Sequence, residues 1–209
     1  MKKQKTIAKI NAEKLVVVIR LKEQKHIPEV IKALVAGGIK VLEITSNTPG
    51  YLEEIKRARE KYPNILIGAG TVINTQIAAE ATKAGAQFIV TPNTNPDVVT
   101  IAHQNDIPVL MGALTPTEIC NAIDANADIV KLFPIANMGV KYFKAVKGPL
   151  SDINFFAVGG IALESIQEWK DAGVSGFGLG GNLVKPIHHQ QDFDDIVMYA
   201  KKVLKKIHS

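Results

Sequence analysis

One lysine and one glutamate lie in stretches that otherwise have the composition of buried β-strands. Lys131 belongs to Asp128-Ile129-Val130-Lys131-Leu132-Phe133-Pro134, and Glu43 belongs to Ile39-Lys40-Val41-Leu42-Glu43-Ile44. Parallel strands covered on both faces are nearly continuous apolar runs, where an unpaired charge is expensive. A lysine that desolvation keeps neutral can attack a carbonyl carbon, and a nearby carboxyl group can carry protons. The two stretches therefore predict Schiff-base chemistry on a ketone. Two other interpretations also account for these stretches. The lysine side chain could extend to water, or the lysine and the glutamate could form a buried ion pair.

Apolar runs of strand length alternate with amphipathic runs of helix length along the chain. The strands are predicted at 15–19, 39–44, 65–71, 87–90, 107–112, 128–133, 154–158 and 174–179. The helices are predicted at 26–36, 50–61, 75–84, 97–103, 116–125, 140–147, 163–172 and 191–207, and Asp97 is the expected N-cap of the fourth of these. This alternation predicts a single (β/α)8 TIM barrel over 14–209, preceded by a short helical lead-in within 1–13. An open doubly wound sheet is the alternative, but it needs fewer units and would leave two of these strands as edges.

The composition limits the classes of function. The chain has 209 residues, is 46% hydrophobic and carries a formal charge of +5, with its excess lysines near the two ends. No basic stripe with neighbouring aromatic residues is visible, so we expect no nucleic-acid partner. We also expect no signal peptide and no membrane span. Cys120 is the only cysteine, which excludes an intrachain disulfide and fits a cytoplasmic location.

Barrels of this class place their working residues at the carboxyl ends of the strands. In this sequence those positions are Arg20, Glu43, Thr71, Pro92 and Lys131. Glu43 and Lys131 should therefore meet at the barrel mouth. Arg20 could bind a carboxylate through two hydrogen bonds, and Thr71 could place a hydroxyl on the substrate. A surface arginine and a plain turn threonine are the alternatives.

Two glycine pairs follow the seventh and eighth predicted strands. Gly159-Gly160 and Gly180-Gly181 could bring backbone N–H groups close to an anion, at the loops where this fold frequently holds phosphate. They could also be ordinary turn residues. No Gly-x-Gly-x-x-Gly follows the first strand, so we expect no dinucleotide, and the five histidines show no metal-site grouping.

These stretches resemble the bacterial 2-keto-3-deoxy-6-phosphogluconate (KDPG) aldolases and their 4-hydroxy-2-oxoglutarate (KHG) and 6-phosphogalactonate relatives. The resemblance runs from about residue 14 to 186. It rests on Val41-Leu42-Glu43-Ile44-Thr45, Gly68-Ala69-Gly70-Thr71-Val72, Val130-Lys131-Leu132-Phe133-Pro134, Lys147-Gly148-Pro149, Val158-Gly159-Gly160 and Gly180-Gly181-Asn182-Leu183-Val184. It implies a class I aldolase without metal or other cofactor, usually a homotrimer, that acts on a phosphorylated 2-keto acid and forms pyruvate.

The resemblance also implies roles for individual residues. Lys131 would form the Schiff base with pyruvate, and Glu43 would be the general acid and base. Arg20 and Thr71 would hold the substrate, and the glycine loops would hold its phosphate. The predicted substrate-binding set is completed by Pro92, Phe133 and Asn47.

Three positions depart from the phosphogluconate pattern and affect the distal half of the substrate. Asn47 stands where some members have a substrate-binding arginine, Val158 replaces a common threonine, and Gly181 replaces a serine that often touches phosphate. The chain resembles the phosphogalactonate members more closely at Asn47, Thr91-Pro92-Asn93 and Ala157-Val158-Gly159-Gly160. We favour KDPG as the substrate, with the galactonate epimer and KHG as alternatives.

Two hypotheses outside the aldolase class remain open at the level of sequence. The same barrel could support a phosphosugar epimerase, because fold does not fix function. The chain could also be a phosphosugar-binding protein without catalytic activity. An imine at Lys131 distinguishes the aldolase from both.

Overall fold

The computed structural model describes residues 2–209, and its centre is a closed barrel of eight parallel strands. Each strand pairs with the next one along the chain, and the eighth pairs with the first. The predicted α/β barrel is confirmed, and the open doubly wound sheet is excluded. In chain order the strands are β1 (Leu15–Ile19), β2 (Val41–Thr45), β3 (Leu66–Gly70), β4 (Ile89–Val90), β5 (Val109–Ala113), β6 (Ile129–Leu132), β7 (Phe155–Val158) and β8 (Gly176–Leu179).

One helix precedes the barrel, and a helix follows every strand. Within the described residues the α-helices are α1 (Lys2–Glu13), α2 (Ile27–Ala36), α3 (Tyr51–Lys61), α4 (Thr75–Lys83), α5 (Pro96–Gln104), α6 (Pro116–Asp124), α7 (Gly139–Lys147), α8 (Ile166–Asp171) and α9 (Gln190–His208). Short 3-10 helices cover Gln24–His26, Gly148–Leu150, Leu163–Ser165 and Gly181–Leu183. Among residues 2–209 no helix has both the length and the apolar content that crossing a bilayer requires.

Apart from Glu43, Thr45 and Lys131, the strand residues are apolar, because both faces of each strand are covered. Successive side chains of a strand point to opposite faces, so residues two apart share a face. One face packs inside the barrel, where Val41, Ile129 and Phe156 belong to one cluster, and the other packs against the helices. Ile10 of α1 joins the inner cluster.

The predicted cap of α5 was wrong. Asn95 is the N-cap, and its side-chain oxygen accepts a hydrogen bond from the backbone N–H of Asp97 at 3.1 Å. Pro96 then occupies the first turn, where the missing N–H of proline costs no helical hydrogen bond. The helix therefore begins before Asp97.

The fourth strand is shorter than the predicted 87–90, because its ladder covers only Ile89–Val90. Gln87 still bonds to β3: its backbone N–H donates to Ile67 O at 2.8 Å, and its side-chain oxygen accepts from Ile67 N at 2.9 Å. The amide side chain thus replaces one backbone bond of the ladder.

The lysines near the two chain ends differ in their surroundings. Lys201, Lys202 and Lys205 of α9 are exposed, whereas Lys206 is half-buried. Lys3 is partly buried, and its Nζ lies 3.2 Å from Oδ1 of Asp128, whose side chain is 7% exposed. This ion pair ties α1 to the segment that leads into β6.

Candidate active site

The carboxyl ends of the strands surround a cavity of about 710 Å³. The structure brings together every predicted site residue except Asn47, which is exposed on the turn after β2 and does not line the cavity. The predicted residues that line it are Arg20, Glu43, Thr71, Pro92, Lys131, Phe133, Gly159, Gly160, Gly180 and Gly181.

Strand alternation explains why Glu43 and Lys131 point into this cavity. Each lies two residues after a side chain of the inner cluster, Val41 on β2 and Ile129 on β6. Glu43 is 2% exposed and Lys131 is 6% exposed. The two ionisable side chains therefore lie above the apolar interior of the barrel, at the carboxyl ends of its strands.

The cavity shifts both of these groups toward their uncharged forms. Burial is the largest influence on Glu43 and raises the pKa of its carboxyl group, against the opposing charges of Lys131 and Arg20. Burial also lowers the pKa of the Lys131 amine; Glu43 opposes this change and Arg20 adds to it. A lowered pKa leaves more of the amine in its neutral, nucleophilic form, and a carboxyl group with a raised pKa holds a proton more readily.

The polar ends of Glu43 and Lys131 remain available for a ligand. Within residues 2–209 neither side chain forms a hydrogen bond or a direct ion pair, and their interaction with each other is Coulombic. Lys131 Nζ lies 4.8 Å from the centroid of the Phe133 ring. Phe133 therefore forms the aromatic wall beside the amine.

Gly70 gives the Glu43 carboxyl group its space, and the sequence analysis gave this glycine no such role. A Cβ atom at Gly70 would lie 2.6 Å from Glu43 Oε1 and 2.8 Å from its Cδ. The sequence signal was present, since Gly70 lies on the strand that pairs with β2. Only the strand register shows that it faces the carboxyl group.

Arg20 and Thr71 form a pair at the edge of the cavity. Arg20 Nη2 donates to Thr71 Oγ1 at 3.1 Å, and the arginine is exposed. Thr71 has φ of +56°, a conformation that β-branched residues rarely adopt. The two side chains can together present N–H and O–H groups to a ligand.

The two glycine loops form another wall of the cavity. Gly159, Gly160 and Gly181 have φ of +94°, +83° and +54°, a region in which glycine is unstrained. In the described residues 2–209, the backbone N–H groups of Gly160 and Gly181 donate to no protein acceptor. These N–H groups are available to an anion.

Several further residues line the cavity that sequence reasoning did not select. Glu164 follows the first glycine loop, and Tyr199 and Val203 come from α9. The positions of Tyr199 and Val203 depend on how α9 packs against α2 and α8, and no local pattern in the sequence indicates this packing. Among the lining residues the only cations are Arg20 and Lys131.

The histidine, cysteine, aspartate and glutamate side chains of residues 2–209 form no group of three that could hold a metal ion.

The closed parallel barrel, with its polar groups gathered at the carboxyl ends of the strands, defines the chain as an α/β-barrel enzyme.

Comparisons with known proteins identify the family. The aldolase family described as KDPG and KHG aldolase matches residues 6–199. A 2-dehydro-3-deoxy-phosphogluconate aldolase of Dickeya dadantii is 35% identical over 98% of both chains. A 2-dehydro-3-deoxy-6-phosphogalactonate aldolase of Escherichia coli is 38% identical over 74% of this chain and 77% of its own. The chain belongs to the KDPG and KHG aldolase family.

One of the similar solved structures contains pyruvate bound covalently to the protein. A KDPG aldolase from Legionella pneumophila, with pyruvate captured as a covalent carbinolamine, superposes with a TM-score of 0.80 at 26% identity. The match covers 96% of this chain and 95% of that one.

Proposed function

We propose that the protein is a class I aldolase that reversibly cleaves a 2-keto-3-deoxy-6-phospho sugar acid, with KDPG favoured, to pyruvate and glyceraldehyde 3-phosphate. One observation carries the proposal: a buried lysine whose pKa is lowered lies in the same cavity as a buried glutamate whose pKa is raised. The whole chain would act as one aldolase barrel domain.

Lys131 supplies the nucleophile in this proposal. Its neutral amine attacks the C2 carbonyl carbon of the substrate to form a carbinolamine, and loss of water gives a protonated imine. The C3–C4 bond then breaks. Its electron pair moves into the imine, so that Lys131 holds pyruvate as an enamine while the aldehyde departs.

Glu43 moves the protons that these steps require. Its carboxylate takes the proton of the C4 hydroxyl as the C3–C4 bond breaks, and the resulting acid returns a proton to C3 of the enamine. Water then hydrolyses the imine and releases pyruvate from Lys131. The raised pKa of Glu43 suits a group that must hold the proton between the two steps.

The surrounding residues would bind the rest of the substrate. Arg20 and Thr71, joined by their 3.1 Å hydrogen bond, would hold the carboxylate of the 2-keto acid. Pro92 and Phe133 would pack against its carbon chain. The N–H groups of the two glycine loops would hold its phosphate, because no lysine or arginine among residues 2–209 lines that end of the cavity.

The choice among gluconate, galactonate and hydroxyglutarate substrates is part of the proposal. The names of the Dickeya dadantii and Escherichia coli relatives support both phosphorylated epimers. The family resemblance supports a homotrimer as the proposed assembly. A cytoplasmic location is consistent with the single cysteine, Cys120, whose thiol is exposed and unpaired.

A pyruvate-release assay on the two phosphorylated epimers and on unphosphorylated KHG tests the proposal. We expect release from a phosphorylated substrate and its loss in Lys131→Arg, because the guanidinium group cannot form the imine. Turnover of a phosphosugar that survives Lys131→Arg would indicate an epimerase. Thermal stabilisation by these compounds without pyruvate release would indicate a binding protein.

A further inference from the structure

Thr71 has a backbone conformation that its surroundings must maintain. Its φ is +56°, and a β-branched residue is strained there. Such strain persists only where neighbouring contacts over-determine the backbone. The contacts that hold Thr71 therefore also fix the position of its hydroxyl group in the cavity.

Ser46 supplies two of those contacts. Its backbone N–H donates to Gly70 O at 2.8 Å, and its hydroxyl donates to Thr71 O at 2.7 Å. Gly70 O belongs to the peptide group that precedes the Cα atom of Thr71, and Thr71 O belongs to the peptide group that follows it. One residue beyond, the N–H of Val72 donates to Val90 O at 3.1 Å. The turn of the chain at Thr71 is thus held on both sides.

The same turn after β2 also holds the backbone of Arg20. Thr45 Oγ1 donates to Ile19 O at 3.2 Å, and Leu21 N donates to Thr48 Oγ1 at 3.3 Å. Both threonines are almost completely buried, and their hydroxyls lie 2.9 Å apart. Hydroxyl groups of one turn therefore fix the chain on both sides of Arg20.

The hydrogen bond from Arg20 to Thr71 then depends on that turn. Among residues 2–209, Thr71 is the only hydrogen-bond partner of the Arg20 side chain, which forms no ion pair. Ser46 itself does not line the cavity. It can affect the substrate only through the residues that it holds.

We propose that Ser46 is a positioning residue for the Arg20–Thr71 pair, acting through the bond from its hydroxyl to Thr71 O. The proposal rests on the proposed function, in which this pair holds the substrate carboxylate. Removal of the Ser46 hydroxyl should weaken carboxylate binding and leave the chemistry at the buried amine intact. The family resemblance instead selected the next residue, Asn47, which is exposed and does not hydrogen-bond to the backbone of Thr71.

The exchange of the C3 protons of pyruvate in D2O tests this role, because the enamine takes up deuterium at C3 without any aldehyde. We expect Ser46→Ala to raise the KM for pyruvate about fivefold, which corresponds to about 1 kcal/mol, the typical value of one hydrogen bond. The kcat of exchange should stay within about twofold of wild type. Ser46→Thr keeps a hydroxyl group and should restore the KM.

Thr6→Ala is the matched control, because Thr6 also donates its hydroxyl to a backbone carbonyl, Lys2 O, but lies in α1 outside the cavity. It should leave KM and kcat unchanged. A wild-type KM in folded Ser46→Ala overturns the inference, and so does a fall in kcat alone.

If the wild-type protein exchanges no deuterium into pyruvate, the proposed function fails, and the crystal structure of Ser46→Ala then decides the inference. We expect Thr71 to leave the positive-φ region or its bond to Arg20 to break. An unchanged Thr71 backbone with the Arg20 bond intact overturns the inference.

Discussion

Gly70→Ala should displace the Glu43 carboxyl group while leaving its chemistry unchanged. A Cβ atom at position 70 would lie 2.6 Å from Glu43 Oε1 and 2.8 Å from its Cδ. Non-bonded atoms reach ordinary contact at about 3.5 Å, so the carboxyl group must move by about 0.9 Å. The φ of Gly70 is not positive, so alanine introduces no backbone strain of its own.

A shift of this size has a large expected effect on the rate. Misplacement of a reacting group by about 1 Å can cost about 100-fold, or about 2.7 kcal/mol of activation free energy. We expect the kcat for pyruvate release to fall by about that factor. The KM should change by no more than about threefold, because beyond the adjoining residues the atoms nearest to the added methyl group belong to Glu43 and not to Arg20. Steady-state kinetics with the preferred phosphorylated substrate measure both constants.

Gly148→Ala is the matched control, since a Cβ there would meet nothing within 4 Å and its φ is −48°. It should have wild-type kinetics. Thermal melts should show that both variants are folded. Wild-type kcat in Gly70→Ala, with Glu43 displaced in its crystal structure, would refute the assignment of Glu43 as the proton carrier.

The remaining predictions concern proton binding and the stability of one helix. Burial lowers the pKa of Lys131, so imine formation with pyruvate should increase with pH around a midpoint below 10.5. Arg20→Gln should raise that midpoint and Glu43→Gln should lower it; identical midpoints in borohydride trapping across pH would contradict this electrostatic account. Thr115→Ala should lower the free energy of unfolding by about 1 kcal/mol in urea titrations, because it removes the N-cap of α6. Hydrogen bonds from the backbone N–H groups of Thr115 and the preceding residue hold the pKa of Glu118 below 4.5. The stability that this provides should be lost as the pH falls through the lowered pKa, and melting curves of Glu118→Gln should lack that loss.

The sequence predicted the barrel because its signal is repeated along the chain. Eight apolar runs alternate with eight amphipathic runs, and only a closed ring leaves none of the strands as an edge. Lys131 and Glu43 could be selected because a charged residue inside such a run is conspicuous. Their meeting then followed from the fold, because the carboxyl ends of parallel strands share one end of the barrel.

The parts that the sequence did not predict depend on contacts between distant residues. Nothing local to Thr71 indicates its positive φ, which is associated with hydrogen bonds from Ser46 in the turn after β2. Tyr199 reaches the cavity from the last helix. The N-cap of α5 was misplaced for a local reason, since both Asn95 and Asp97 have side chains that can cap.

Trapping with pyruvate and borohydride, followed by peptide mapping, tests the central claim most directly. Reduction of the imine makes the pyruvate adduct permanent, so mass spectrometry identifies the residue that carries it. We predict one adduct for each chain, on Lys131, and none in Lys131→Arg. No adduct, or an adduct on another lysine, would contradict the assignment of Lys131 as the nucleophile.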